Sequence, residues 1–142
     1  LKAAVDSLGV CYNGSIWCDP DLVGPEIYAS LYSFATGQET TSDELLLMGR
    51  RVHNVEKAIN TIHTAMTRKD DRPPKRLIKD PALSGPFEGE SIDPDRWEKM
   101  LDEYYRLQNW DVETGWQTEN GLKELNLGQV ADRLRQAGRL PG

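Results

Sequence analysis

Cysteine and histidine are scarce in this chain, with two of each in 142 residues. Two cysteines, Cys11 and Cys18, are too few for a disulfide framework, and their C-x6-C spacing matches no common zinc knuckle. A reducing, cytoplasmic setting follows as the expectation. Long apolar runs are missing as well. No stretch approaches the ~20 residues that a membrane-spanning helix needs, and no signal peptide is visible. Excess positive charge is also missing. The formal net charge is −6, which argues against nucleic acid as a main partner, because phosphate binding needs a basic face. What remains is 38% hydrophobic residues with a mean hydropathy of −0.61, the profile of a globular domain with a well-charged surface. At 16.0 kDa the chain can bury a real core as a single domain. It opens directly on Leu1-Lys2-Ala3-Ala4-Val5, with neither leader nor initiating methionine, and reads as a piece of a longer protein.

The clearest element is a helix over Ser42 to Met66. Thr41 and Glu44 form a T-x-x-E capping box at its start. Apolar residues at Leu45, Met48, Val52, Val55, Ile59, Ile62 and Met66 then alternate in steps of three and four, which keeps one stripe along the helix. That stripe predicts a core face, with a coiled-coil dimer as the lesser option. An earlier helix is expected over Asp21 to Thr36, with Ile27, Leu31 and Phe34 on one side and Gly37 as its stop.

Between Asp70 and Pro94, five prolines and the glycines Gly85 and Gly89 forbid a long regular element. A third helix should begin at Asp93 or Asp95, with Pro94 in its first turn. Trp97, Met100, Leu101, Tyr104 and Tyr105 form its expected buried side. Two short helices are predicted near Thr118–Leu125 and Gly128–Gly138, the second burying Val130, Leu134 and Ala137. The sum is an all-α, irregular multi-helix domain of about five helices with one long Pro-rich connection.

Three short blocks carry candidate chemistry. In Asp6-Ser7-Leu8-Gly9-Val10-Cys11 an acid, a glycine and a thiol lie within six residues. A thiolate is a soft metal ligand, glycine permits close backbone approach, and a carboxylate accepts two parallel N–H donors. The same residues also fit a helix C-terminus capped by Gly9 and followed by a buried thiol. Thr67-Arg68-Lys69-Asp70-Asp71 follows the long helix, where its charges fit either a salt-bridged terminus holding the next loop or a cofactor contact. Leu101-Asp102-Glu103-Tyr104-Tyr105 lies on the third helix, and aromatic packing with hydroxyls that reach a partner accounts for it. His63 and His53 read as structural, with a pocket-lining role open for His63.

Taken together, and with the turn Trp110-Asp111 to Gly115, these blocks resemble the C-terminal region of the tungsten-dependent aldehyde:ferredoxin oxidoreductase family up to about Leu127. In that family a D-x-x-G-[LV]-C motif supplies the fourth thiolate of a [4Fe–4S] cluster beside a tungsten- or molybdenum-pterin. The resemblance implies that Cys11 ligates the cluster. It also implies that Asp6 accepts hydrogen bonds from the pterin edge and that Val10 touches the pterin through its backbone. Met66, His63 and Ala65 depart from the family's commonest residues, as do Gln108 and Asn109, and Cys18 has no counterpart. The implied reaction oxidises an aldehyde to a carboxylate, with electrons passed through the cluster to ferredoxin. The implied partners are the N-terminal domains of the same chain and ferredoxin, and a homodimer is admitted. No catalytic residue and only one of four cluster thiolates fall in this stretch, so neither activity nor cofactor is expected of it alone. Two other readings stand beside this one: an aromatic acyl-thioester reductase of the same superfamily, and a non-catalytic helical interaction module.

Overall fold

The computed structural model describes residues 1–11 and 24–141. Among them, seven α-helices and no strand are found, and 61% helix bears out the all-α expectation. They are α1 (Lys2–Ser7), α2 (Pro25–Thr36), α3 (Ser42–Thr64), α4 (Lys75–Lys79), α5 (Pro94–Leu107), α6 (Glu119–Glu124) and α7 (Gly128–Gln136), with a 3-10 turn at Arg68–Asp71. None is long and apolar enough to cross a membrane. The chain divides into two compact units, Leu1–Ile59 and Asn60–Gly142.

In the first unit the Thr41–Glu44 capping box forms as expected. The Glu44 carboxylate accepts from the Thr41 backbone N–H at 2.8 Å, and the Thr41 hydroxyl accepts from Glu44 N–H at 3.3 Å. The helix that follows stops at Thr64, two residues short of Met66, because Ala65 adopts a left-handed φ of 55°. The predicted stripe is only partly inward. Leu45 is fully buried, but Val55 and Ile59 are 37% and 53% exposed, while Asn54, Lys57 and Ala58 are buried in their place. Ala58 is small enough to let that face approach its neighbours. The Asn54 side-chain amide donates to Arg50 C=O within the same helix at 2.9 Å, so its burial strands no donor.

Helix α2 is described from Pro25, with Gly24 as N-cap, Pro25 in its first turn and Gly37 at φ 74° ending it. Its buried side is Tyr28 and Ala29, not the expected Ile27, Leu31 and Phe34; Leu31 and Phe34 are 55% and 88% exposed. The reason lies in the cluster that Tyr28 and Ala29 form with Ala4, Val5 and Leu45, where alanines let the helices approach closely.

The second unit is held around Leu101, Tyr105 and Trp110, with Trp97 and Val112 packed against them. Helix α5 begins as read: Asp93 accepts from Asp95 N–H at 2.8 Å and Pro94 occupies the first turn. Met100 and Tyr104, expected inside, are 46% and 37% exposed. The Asp70–Pro94 connection is mainly irregular but contains the short helix α4. Helix α6 begins at Glu119, one residue past the expected Thr118, which caps it, and α7 begins at the expected Gly128; Ala131 rather than Ala137 joins Leu134 in the core.

Gly115 sits where only glycine fits. Its φ is 72°, and a Cβ there would lie 3.0 Å from Tyr105 Oη and 3.2 Å from Arg68 N. Gly138 has a similar φ of 66° with open space around it. Gly138→Ala should therefore lose only the conformational part, about 1 kcal/mol, and Gly115→Ala roughly 2–3 kcal/mol with the added crowding. Urea unfolding of both variants checks this; equal losses would show that the Tyr105 contact has room to give.

Candidate functional site

The Asp6–Cys11 block is built on α1. Ala4 and Val5 are fully buried, which fixes the helix to the first unit. Leu8 N–H returns to Ala4 and Val5 carbonyls, and Gly9 N–H donates to Asp6 C=O at 3.0 Å. Gly9 then turns the chain out of the helix at φ 73°. This is the helix C-terminus that the residues allowed, but the thiol is not buried. Cys11 is free and exposed, and Val10 beside it is 37% exposed. The Asp6 carboxylate pairs with Lys2 Nζ at 2.7 Å across one helical turn, with both side chains largely in solvent. Such an exposed pair contributes about 0.2–1 kcal/mol and gives way readily to better donors.

The Arg68 block has the opposite character. All five guanidinium donors are engaged: Nε and Nη2 donate to Glu98 Oε2 at 3.0 and 2.7 Å, and Nη2 also reaches Glu98 C=O at 3.0 Å. Nη1 donates to Asp102 Oδ1 at 2.6 Å and Val112 C=O at 2.7 Å. The guanidinium also lies 5.4 Å from the Tyr105 ring centroid. Tyr105 Oη donates a short hydrogen bond to Asp71, while Trp97 Nε1 donates to Asp71 C=O at 3.1 Å. Burial, then the hydrogen bond to Asp71, pushes the Tyr105 hydroxyl far above its ordinary range, so it remains a donor. Asp70 folds back on Thr67, accepting from its backbone N–H at 2.8 Å. Arg68 is thus salt-bridged to Glu98 and Asp102, while Asp70 and Asp71 accept hydrogen bonds from Thr67 and Tyr105, contacts that hold the segment after the long helix.

Trp110, Asp111 and Gly115 close the same assembly. Asp111 accepts from Thr114 N–H at 2.8 Å, Thr114 C=O accepts from Arg68 N–H at 2.7 Å, and Trp116 Nε1 donates to Met66 C=O at 2.7 Å. Glu98 was not singled out from the sequence, although its i, i+4 spacing with Asp102 put two carboxylates on one helix face. His63 is exposed in the last turn of α3. His53 is half-buried, and burial lowers its pKa. Cys18 lies outside the described residues.

Among the described residues, no group of three or more His, Cys, Asp or Glu side chains could hold a metal ion. Cys11 offers one thiolate, which fits the part of a single ligand to an iron–sulfur cluster, a group held by about four. An exposed thiol after a glycine turn and a weakly paired carboxylate one helical turn earlier suit that part.

Residues 1–127 match the family model for aldehyde ferredoxin oxidoreductase, domains 2 & 3, and the chain belongs to this family. It is 30% identical over 129 residues to the tungsten-containing aldehyde ferredoxin oxidoreductase of Pyrococcus furiosus, covering 91% of this chain and 20% of that protein. The Pyrococcus horikoshii enzyme of the same name is 32% identical over 127 residues, covering 89% and 19%. The chain thus spans about a fifth of the length of these curated relatives. Among solved structures, it is similar to the active-site complex BamBC of benzoyl coenzyme A reductase bound to 1,5-dienoyl-CoA. That likeness has a TM-score of 0.65 and 25% identity, and covers 83% of this chain and 16% of that one.

Glu98 gives the Arg68 assembly a pH signature. The hydrogen bond from Arg68 holds its carboxyl below the ordinary 4.5, reinforced by the charges of Arg68 and Arg72 and opposed by burial. Because the folded value is depressed, its stabilisation is full above pH 4.5 and is lost as pH falls through the lower folded value. Arg68→Met should cost roughly 2–3 kcal/mol at neutral pH and flatten that acid limb. Trp97, Trp110 and Trp116 all report on this unit, so fluorescence-detected urea unfolding across the acid range is the measurement. An unchanged acid limb in Arg68→Met would show that Glu98 draws its stability from elsewhere.

Proposed function

We propose that this chain forms the C-terminal, helical part of a tungsten- or molybdenum-pterin, iron–sulfur oxidoreductase that oxidises aldehydes to carboxylates and passes the electrons to ferredoxin. The observation that carries the reading is the Asp6–Cys11 turn, in which Gly9 leads an exposed thiol out of an anchored helix in the order of the family's motif. The balanced reaction takes an aldehyde and water to a carboxylic acid, two protons and two electrons. A bound tungstopterin supplies the two-electron acceptor, and a [4Fe–4S] cluster supplies the one-electron relay.

The chain's own residues bind and orient. Cys11 donates its thiolate to the cluster. Asp6 exchanges its exposed Lys2 partner for the N–H edge of the pterin, and Val10 lends backbone contact. Arg68, with Glu98, Asp102 and Asp71, keeps the second unit rigid without touching reacting atoms. The remaining cluster thiolates and the acid–base groups belong to other domains of the same longer protein. A cytoplasmic location and a homodimer fit this reading. A second reading, reduction of an aromatic acyl thioester by reverse electron flow, is favoured by the likeness to the benzoyl coenzyme A reductase complex.

In the full-length enzyme, Cys11→Ser should deplete or convert the cluster and cut ferredoxin-linked turnover. Asp6→Ala removes a charge-assisted contact of roughly 1.5–3 kcal/mol and should lower pterin occupancy before iron content changes. Metal and pterin analysis with assays on aldehydes and on aromatic acyl thioesters checks both variants and chooses between the two reactions. Full cluster content and activity in Cys11→Ser would remove the support for the oxidoreductase role of this segment and leave the helical interaction module.

A further inference from the structure

Helix α1, which ends in the Asp6–Cys11 turn, lies against α3 at Gly49. A Cβ built at Gly49 would stand 2.8 Å from Ala4 Cβ, 2.8 Å from Ala4 N and 3.2 Å from Ala4 Cα. Two of those three atoms are backbone, so no rotamer change relieves the approach, and a side chain at Gly49 must displace α1 itself. The conformation of Gly49 is ordinary helix, so its requirement is one of space alone. Glycine in a helix interior costs about 1 kcal/mol relative to alanine, a cost that the close approach explains.

The neighbouring contacts run along α1 toward the thiol. Leu45, one turn before Gly49, packs with Ala4 and Val5, and the Ser7 hydroxyl lies 3.6 Å from Met48 Sδ. Leu8 packs against the same cluster. From Leu8 only the Gly9 turn and Val10 separate the helix from Cys11, so a displacement of α1 is carried to the thiol with little chain to absorb it.

We propose that Gly49 is a positioning residue for the cofactor contacts of this segment: by admitting Ala4 against its backbone it sets the place of α1, and with it the places of the Asp6 carboxylate and the Cys11 thiolate. This rests on the proposed role of Cys11 as a cluster ligand.

The test uses the full-length enzyme with Gly49→Ala, measuring iron and sulfide content, the electron paramagnetic resonance spectrum of the reduced cluster and its midpoint potential. Leu134→Ala is the control. It opens a cavity in the second unit, where Leu134 is fully buried, and lowers stability there. The expected result is a displaced spectrum and potential, or lost iron, in Gly49→Ala, with all three unchanged in Leu134→Ala. Native values in a folded Gly49→Ala enzyme overturn the proposal, and so does an equal change in Leu134→Ala. Should Gly49→Ala fail to accumulate, Ala4→Ser enlarges the same contact from the other side and is judged by the same criteria. Cys11→Ser separates the two inferences. If it keeps its cluster, the ligand role falls; if it loses the cluster while Gly49→Ala keeps native values, only the positioning role falls.

Discussion

The Arg68 guanidinium is the constraint on which the second unit depends. It satisfies all five of its donors with Glu98, Asp102 and the carbonyls of Glu98 and Val112. Lysine could not substitute, because its point charge offers three rotating donors rather than a rigid planar fork. Its side chain is 17% exposed, which weakens solvent screening without isolating the ions in a dry core. One residue thereby joins the segment after α3, one face of α5 and the turn before α6. Its backbone N–H donates to Thr114 C=O at 2.7 Å, which brings the chain close enough to Gly115 to exclude a side chain there.

The first unit solves a different problem with smaller residues. Ala4, Ala29 and Gly49 replace bulk with proximity, so that the short helix α1 is held at Ala4 and Val5 while the Gly9–Cys11 segment that leaves it is exposed. A six-residue helix is far too short to persist alone. Its order comes from what it touches. Rigidity at one end and exposure at the other is the arrangement that a ligand-bearing segment needs.

The extent to which this could be read from sequence follows from the physics of each signal. Capping residues act on their own backbone, so Thr41, Glu44, Asp93 and Gly37 announced helix limits that the structure repeats. Met66 falls outside the long helix because Ala65 turns left-handed, and its carbonyl accepts instead from Trp116, fifty residues on, a bond that no local rule contains. Periodicity marked apolar faces at Leu31, Phe34, Ile59 and Met100, but it reports which residues avoid water and is silent on what covers them. Glu98 escaped notice for a related reason: an acid on a helix surface looks solvated until its arginine partner arrives from thirty residues away. The Asp6–Cys11 turn was legible as a motif, while the exposure of its thiol was not, since a cysteine after a cap is buried as readily as not.

These two kinds of constraint divide the labour between charge and chemistry. The second unit places its strongest charges in mutual hydrogen bonds, which consumes the donors and acceptors that a ligand would require. The candidate cofactor residues do the reverse, keeping a carboxylate in a weak exposed pair and a thiol with no partner at all among the described residues. A group that must bind something later cannot be satisfied by the fold that presents it, because each contact made beforehand has to be broken on binding. Arg68 and Cys11 are therefore opposite solutions. The saturation of Arg68 suits a scaffold, and the free, exposed thiol of Cys11, placed just past the end of an anchored helix, suits the ligand role proposed for it.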